Sequence, residues 1–437
     1  MKITLINHAS CTFEFGSYKL LCDPWFEGCV FGEGWGLQYE SKKCYELVKN
    51  TTHLWVSHFH EDHLNRKTLL KILEINPKLI IFANDSCNFQ MSKFFKSINS
   101  INSKNIISLD ERKEYLLSNN SSIKRYPATG IDNALLIKHC GYNYLNLNDV
   151  VLSKVALRML AKEMGPIEII MSNFNHAGKL LKKSINKHKI RKSLIKNYQN
   201  NIEPFNAKYS IPFASYHYYR APESSEQNSA MIGMEELQSL GNSVIPIKLG
   251  ERVSYNPLNK EFEIKTLIDV PKRYKETIKR SNKIEIEELI NLSKNYLSKV
   301  NKRFFYLPVL FKSLIINIYD LGLVIKLSFK QDKILLLKGQ ASHINMHSSV
   351  LKKWFSSLYG TDQTCVGAHF SIGKLGRGPL LKYITFCMLF DNKLDLVRLL
   401  KMLFTYKGLK FFFNRREEII GLIFTKSVIA DYQKESD

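Results

Sequence analysis

The segment LWVSHFHEDHLNRKTLLKIL, residues 54–73, constrains the chain more than any other. It opens as an apolar run of the kind that forms a buried strand and closes on the helical spacing of Leu69, Ile72 and Leu73. Between them stand His58, His60, Asp62 and His63. Packing alone gives no reason for four polar side chains directly after an apolar strand. A divalent transition metal does, because it needs imidazoles and carboxylates converging within bonding distance, and a turn after a strand delivers them without bending the sheet. In extended backbone His58 and His60 point to the same side, while Asp62 and His63 follow at the turn and reach a second ion. The expectation is two divalent metal ions, zinc or iron with manganese also compatible, held around one loop.

The chain of 437 residues is long enough for one large domain with an appendage or for two domains. With 45% hydrophobic and 12% aromatic residues it is a folding sequence, and no repeat stands out. Strand and helix patterns alternate up to about Thr266, for example the helix pattern DVVLSKVALRMLAKEMGP closed by Gly165-Pro166. After a charged stretch the pattern changes to a smaller α+β region. The expected units are 1–268, a metal-binding catalytic domain, and 269–437, an accessory region.

Composition also narrows the partners. The N-terminus reads as a hairpin turning at Gly16-Ser17 rather than as a signal peptide, and Asp320 and Asp391 break the later apolar runs, so no transmembrane span is expected. Eight cysteines without a CxxC pair fit a reduced, cytoplasmic protein, and the ligand pattern of a Rieske cluster is absent. A net charge of +23 favours anionic small molecules or surfaces. Its densest run, residues 179–199, reads as a basic helix with a solvated face, the alternative being a substrate lid or anion clamp, and no nucleic-acid module stands beside it. His343, His347 and His369 lie in separate segments and read as packing or surface residues. The stretch LVRLLKMLFTYKGLKFFFNRR, residues 396–416, reads as a core helix with an exposed Lys/Arg face, the alternative being contact with a membrane surface or a partner helix.

The HxHxDH set resembles the signature of the metallo-β-lactamase superfamily, which implies an α/β fold, a four-layer αββα sandwich with the metals between the edges of its two sheets. The resemblance places Asp149, at the end of LNLND, as the carboxylate that bridges the two metals. Together HAS, LLCDPWFEGCVFGEGWGL, SHFHEDHL, LNLNDVV, IIMSNFNHAGK and IPFASYHYY are similar to the metallo-β-lactamase portion of the CMP-N-acetylneuraminate hydroxylase family. The ascorbate-6-phosphate lactonase and N-acyl phosphatidylethanolamine phospholipase families share this outline.

Two departures matter. The hydroxylase family begins with a Rieske domain, whereas this sequence begins at the β-lactamase-like strand, so electrons for an oxygenase would come from a separate protein. The superfamily also supplies a third histidine to the first metal, and IKRYPATGIDNALLI, where Ala128 aligns, contains none. The resemblance brings His8 to the metal cleft as a candidate ligand and Asp23 as a residue behind the ligands. It brings His176 and His217 to the substrate side as candidate catalytic residues, with Asp62 serving both metal and catalysis. The leading expectation is a metal-dependent hydrolase acting on an anionic nucleotide-sugar or phosphorylated small molecule through hydroxide at a dinuclear site. The alternative is a non-haem di-iron oxygenase.

Overall fold

The computed structural model describes residues 1–86, 90–128, 131–182, 184–241, 243–272, 276–280, 282–304, 312–329, 333–391, 400 and 402–424. Two sheets organise the first part. The larger has eight strands in the spatial order Glu261–Thr266, Glu251–Asn256, Lys2–Asn7, Ser10–Phe15, Tyr18–Cys22, His53–Trp55, Ile80–Ala83 and Ile106–Ser108. Its first five strands run antiparallel and the last pairings are parallel. The second sheet has six, in the order Tyr209–Phe213, Ile169–Asn173, Tyr142–Asn148, Asp132–His139, Ser121–Ala128 and Glu114–Ser118.

Strand alternation explains the layering. In the second sheet Leu135, Ile137, Tyr144, Ile169 and Met171 face inward and join Ile3, Leu5, Leu20 and Leu54 of the first sheet in one buried core. Their neighbours Leu136, Leu145, Leu147 and Ile170 point outward and pack with Ala156, Leu157, Leu160 and Met164 of the helix Lys154–Met164. On the other side Leu69, Ile72 and Leu73 of the helix Arg66–Ile75 pack on the first sheet. Helix, sheet, sheet, helix is the expected αββα order. The ligand loop occupies the span between strand His53–Trp55 and this helix, whose start is fixed by the Asn65 side chain accepting the Thr68 N–H.

A second core gathers around a five-stranded sheet, Lys333–Leu337, Leu323–Ser328, Leu314–Ile318, Ile344–Met346 and Ser371–Ile372, with Leu289, Leu297, Trp354 and Tyr383 inside. The chain then returns. The helix Arg416–Phe424 lies on Lys154–Met164, with Gly421 so close to Ser153 that a Cβ there would stand 2.2 Å from its Oγ. Arg415 pairs with Glu111 at 3.1 Å, and Arg112 with the buried Glu417. The tail thereby completes the outer helix layer of the first unit. The expectation of a core helix over residues 396–416 needs correction where it is described: Phe404, Tyr406 and Phe413 are 85%, 81% and 65% exposed, so the apolar side as well as the lysines faces outward. Residues 396–399 and 401 lie outside the described residues.

Two acids in the second unit carry a stability consequence. Burial and the nearby Asp391 push Asp362 up to about 7; burial pushes Asp391 up to about 6, although it accepts the Thr361 N–H at 3.0 Å. Both values lie above the unfolded value of about 4, so the folded chain holds more protons than the unfolded one in that range. The stabilising contribution is therefore complete below about pH 4 and is lost progressively as pH rises from there through about 6 to 7. Asp362→Asn should flatten this slope, raising the melting temperature by a few degrees at about pH 8 and leaving it unchanged at about pH 3. Thermal unfolding at the two pH values is the check.

Candidate metal centre

Three elements converge on the edge of the sandwich. The loop after His53–Trp55 brings His58, His60, Asp62 and His63; the end of Tyr142–Asn148 brings Asp149; and the start of Asp132–His139 brings Asp132. His58 Nε2 lies 2.8 Å from His60 Nδ1 and 3.6 Å from Asp132 Oδ1. His63 Nε2 lies 3.0 Å from Asp149 Oδ2 and 3.2 Å from Asp62 Oδ2. His8 Nε2 approaches the same Asp62 oxygen at 3.1 Å. Among the described residues these form three overlapping triads, His58–His60–Asp132, His58–His63–Asp149 and His8–Asp62–His63, each with its ligand atoms within 4.8 Å of one another. Asp149 shares a triad with one histidine from each end of the loop, His58 and His63.

Asp132 escaped the sequence reading. The aligned position, Ala128, sits directly opposite Asp132 across the hairpin, so the carboxylate reaches the cleft from the neighbouring strand. A search for acids on both arms of that hairpin, rather than for a histidine on one, was the signal that would have found it.

Behind the ligands a hydrogen-bonded layer fixes their orientation. Asp23 accepts the Ser57 N–H at 2.7 Å, meets His63 Nδ1 at 3.0 Å and accepts from the Asn148 amide. Ser57 Oγ meets His58 Nδ1 at 2.9 Å. Both imidazoles are thus held at Nδ1 and turn Nε2 toward the cluster, the arrangement by which outer groups set a metal-binding tautomer. Asn84 and Asn133 donate to the Ser57 carbonyl at 2.9 and 2.7 Å and pin the loop from behind. Asp23 and Asn148 adopt left-handed backbone, with φ of 44° and 54°, a conformation that Asp and Asn tolerate better than most residues.

The two other expected histidines lie beside this centre and outside its triads. His217 stacks on Trp35 at 3.8 Å between ring centroids and meets the edge of His8 at 5.2 Å. His176 stacks on Tyr219 at 5.4 Å. Burial, reinforced by His8, holds His217 well below the usual imidazole range, and burial with Lys179 lowers His176 to about 4. The buried surroundings of both rings favour the neutral imidazole.

The electrostatics of the cluster are those of a cation site. Burial disfavours charge on His63, yet Asp149, Asp62 and Asp23 outweigh it and hold the ring well above its ordinary pKa. Burial raises Asp62, but His63 and His8 hold its carboxyl well below the usual range. Burial and then Asp149 push Asp132 well above it. Asp62 Oδ1, Asp149 Oδ1 and His8 Nδ1 are buried without a hydrogen-bond partner among the described residues. Such groups are costly unless something satisfies them. Imidazole and carboxylate donors of this kind fit divalent transition-metal chemistry.

Glu61, within the ligand loop, ties the centre to the second unit. It accepts the Phe31 N–H at 2.6 Å and the Gln363 amide at 3.3 Å, and the Phe31 carbonyl in turn meets His369 Nε2 at 2.8 Å. His369 therefore packs against Phe31 and Gly32, the turn that Glu61 holds from the loop side. A Cβ on Gly34 would stand 2.3 Å from the Gly367 carbonyl, so the two units meet backbone to backbone.

No family model matches the chain. Among curated proteins it is similar to the cytidine monophosphate-N-acetylneuraminic acid hydroxylase of Asterias rubens, 31% identical over 87 residues. That match covers 20% of this chain and 13% of the relative, a small part of its length. Among solved structures the chain is similar to an isothiocyanate hydrolase from Delia radicum gut bacteria, with 14% identity and a TM-score of 0.43 over 58% of this chain and 99% of that one. It is also similar to the metallo-β-lactamase fold protein YhfI from Bacillus subtilis, with 11% identity and a TM-score of 0.35 over 56% and 93%.

Proposed function

Because the chain has the metallo-β-lactamase fold, we propose that it is a metal-dependent enzyme with two metal ions in this cluster, acting on an anionic small molecule. The observation that carries the reading is the convergence of His58, His60, Asp62, His63, Asp132 and Asp149 in overlapping triads. His58, His60 and Asp132 would hold the first ion, Asp62 and His63 the second, with His8 as a further ligand and Asp149 between the two. When bound, such a pair supplies hydroxide at neutral pH for hydrolysis or, as iron, dioxygen activation.

Hydrolysis needs no protein nucleophile, and the chain's own part is positional. Asp23 and Ser57 fix the imidazoles, the aromatic wall of Trp35 and Tyr219 excludes water, and the neutral His176 and His217 offer N–H groups to the substrate. Held neutral, these two rings orient a leaving group through hydrogen bonds and are poor starting proton donors. The net charge of +23 supports an anionic substrate of the nucleotide-sugar or phosphorylated class.

A specific observation favours a second reading, a non-haem iron oxygenase. His58, His60 and Asp132 make two histidines and one carboxylate, the donor set of iron(II) sites that keep positions open for dioxygen. The named activity of the Asterias relative is in keeping with it. The reaction would need a source of electrons.

Parallel reconstitution tests both. Chelator-stripped protein is loaded with zinc or, anaerobically, with iron(II), and offered phosphorylated sugars and sugar nucleotides. Turnover of the zinc form without dioxygen supports hydrolysis. Dioxygen consumption coupled to substrate oxidation by the reduced iron form supports the oxygenase. Failure of the cluster to retain either metal removes both.

A further inference from the structure

The tail presents a surface that the metal centre does not use. The helix Tyr406–Asn414 carries Tyr406, Leu409 and Phe413 on one side, at the i, i+3, i+7 spacing of a single helical face. All three are exposed, at 81%, 54% and 65%, and the turn before the helix adds Leu403 and Phe404 at 46% and 85%. Soluble surfaces scatter such residues singly; here five fall within eleven positions. From Leu400 to Arg416 the sequence has five basic residues, Lys401, Lys407, Lys410, Arg415 and Arg416, and no acid. Lys407 and Lys410 are exposed on the same helix, and the Arg416 guanidinium lies 4.8 Å from the centre of the Phe413 ring.

The patch is held firmly. Arg415 pairs with Glu111 and lies over Phe411 at 3.7 Å, and the following helix seats Gly421 against Ser153. The apolar face is therefore fixed on the flank of the catalytic unit. Arg415 also lines a small cavity with Ser57 and His58, so the patch stands close to the metal loop.

From these features we propose that residues 403–416 dock the protein on an anionic membrane surface. Aromatic and aliphatic side chains enter the headgroup boundary while Lys407 and Lys410 meet lipid phosphates; Arg416 stays paired with Glu163 at 3.1 Å and Glu417 at 3.0 Å. Charge decides the occupant. Lysine is depleted in protein–protein interfaces, whereas each lysine near an anionic bilayer adds attraction. No helix among the described residues is long and apolar enough to cross a membrane, so the contact is with the surface.

The test is co-sedimentation of the full chain with vesicles of phosphatidylcholine alone and of phosphatidylcholine mixed with phosphatidylglycerol. Binding is expected to the mixed vesicles and to fall steeply with salt. The Phe404→Ser, Phe413→Ser double variant should lose about tenfold or more in partitioning, because both rings leave the boundary. Lys407→Glu should lose about fivefold or more. Circular dichroism and metal content should stay at native values in both variants. Equal partitioning to both vesicles, no partitioning, or no response to the Phe404→Ser, Phe413→Ser change overturns the proposal. So does a concentration-dependent dimer in light scattering that these two changes dissolve, which would assign the face to a second copy of the chain.

Discussion

Asp132→Ala should fold and yet lose one of two metal ions, with turnover abolished. Asp132 is the carboxylate nearest His58, at 3.6 Å, and completes the triad with His60. Without it the first position keeps two imidazoles. Even removal of a group behind a ligand weakens metal binding about 10- to 100-fold, so loss of a ligand should reach the upper end of that range or beyond. The metal-free protein should not be weakened in parallel. Burial and Asp149 already make the charged Asp132 carboxylate costly, and alanine removes that cost. The expected signature is a metal-free melting temperature at or above the native one, together with a smaller rise on adding metal. Elemental analysis after dialysis against a chelator, run beside thermal unfolding, reads both. Two retained ions in the variant would exclude Asp132 from the centre.

Asp23→Asn should damage the other position without touching a ligand. The Asp23 carboxylate receives the Ser57 N–H, the Asn148 amide and His63 Nδ1, all buried. Asparagine tolerates the left-handed backbone of this position, so the change isolates the hydrogen bonds from backbone strain. Its single acceptor oxygen cannot serve three donors, and at least one is left unpaired at a cost of about 1–3 kcal/mol. His63 also loses the partner that fixes its tautomer. Metal affinity should fall about 10- to 100-fold. Competition with a metal-binding dye measures the loss, and native affinity in the variant would reduce Asp23 to a turn residue.

How far these features could be read in advance depended on where each signal resides. The ligand loop was legible because strand, ligands and helix lie within one short segment, and Asn65 starts the helix where the apolar spacing begins. The sandwich was legible through the family resemblance, and the structure builds it by alternation, with Leu135 and Ile137 facing one way and Leu136 the other. Asp132 was hidden because its place at the centre depends on cross-strand register, which pairs it with Ala128 and leaves no fixed spacing from His58. The returning tail was hidden for a related reason. An amphipathic pattern over residues 402–416 identifies a helix face but not what covers it, and the pairs that anchor the tail, Glu111 with Arg415 and Arg112 with Glu417, link residues some three hundred positions apart. Glu61 reads as an ordinary loop acid until Gln363 of the second unit is placed beside it.

The central claim is that two metal ions share this cluster, the first completed by Asp132. Crystals of protein purified without chelator, with data collected on both sides of the absorption edge of the metal found by elemental analysis, test it most directly. Two anomalous peaks are expected, one among His58, His60 and Asp132 and one among Asp62 and His63, with Asp149 between them. A single peak, or two peaks with Asp132 turned away from both, would contradict the account.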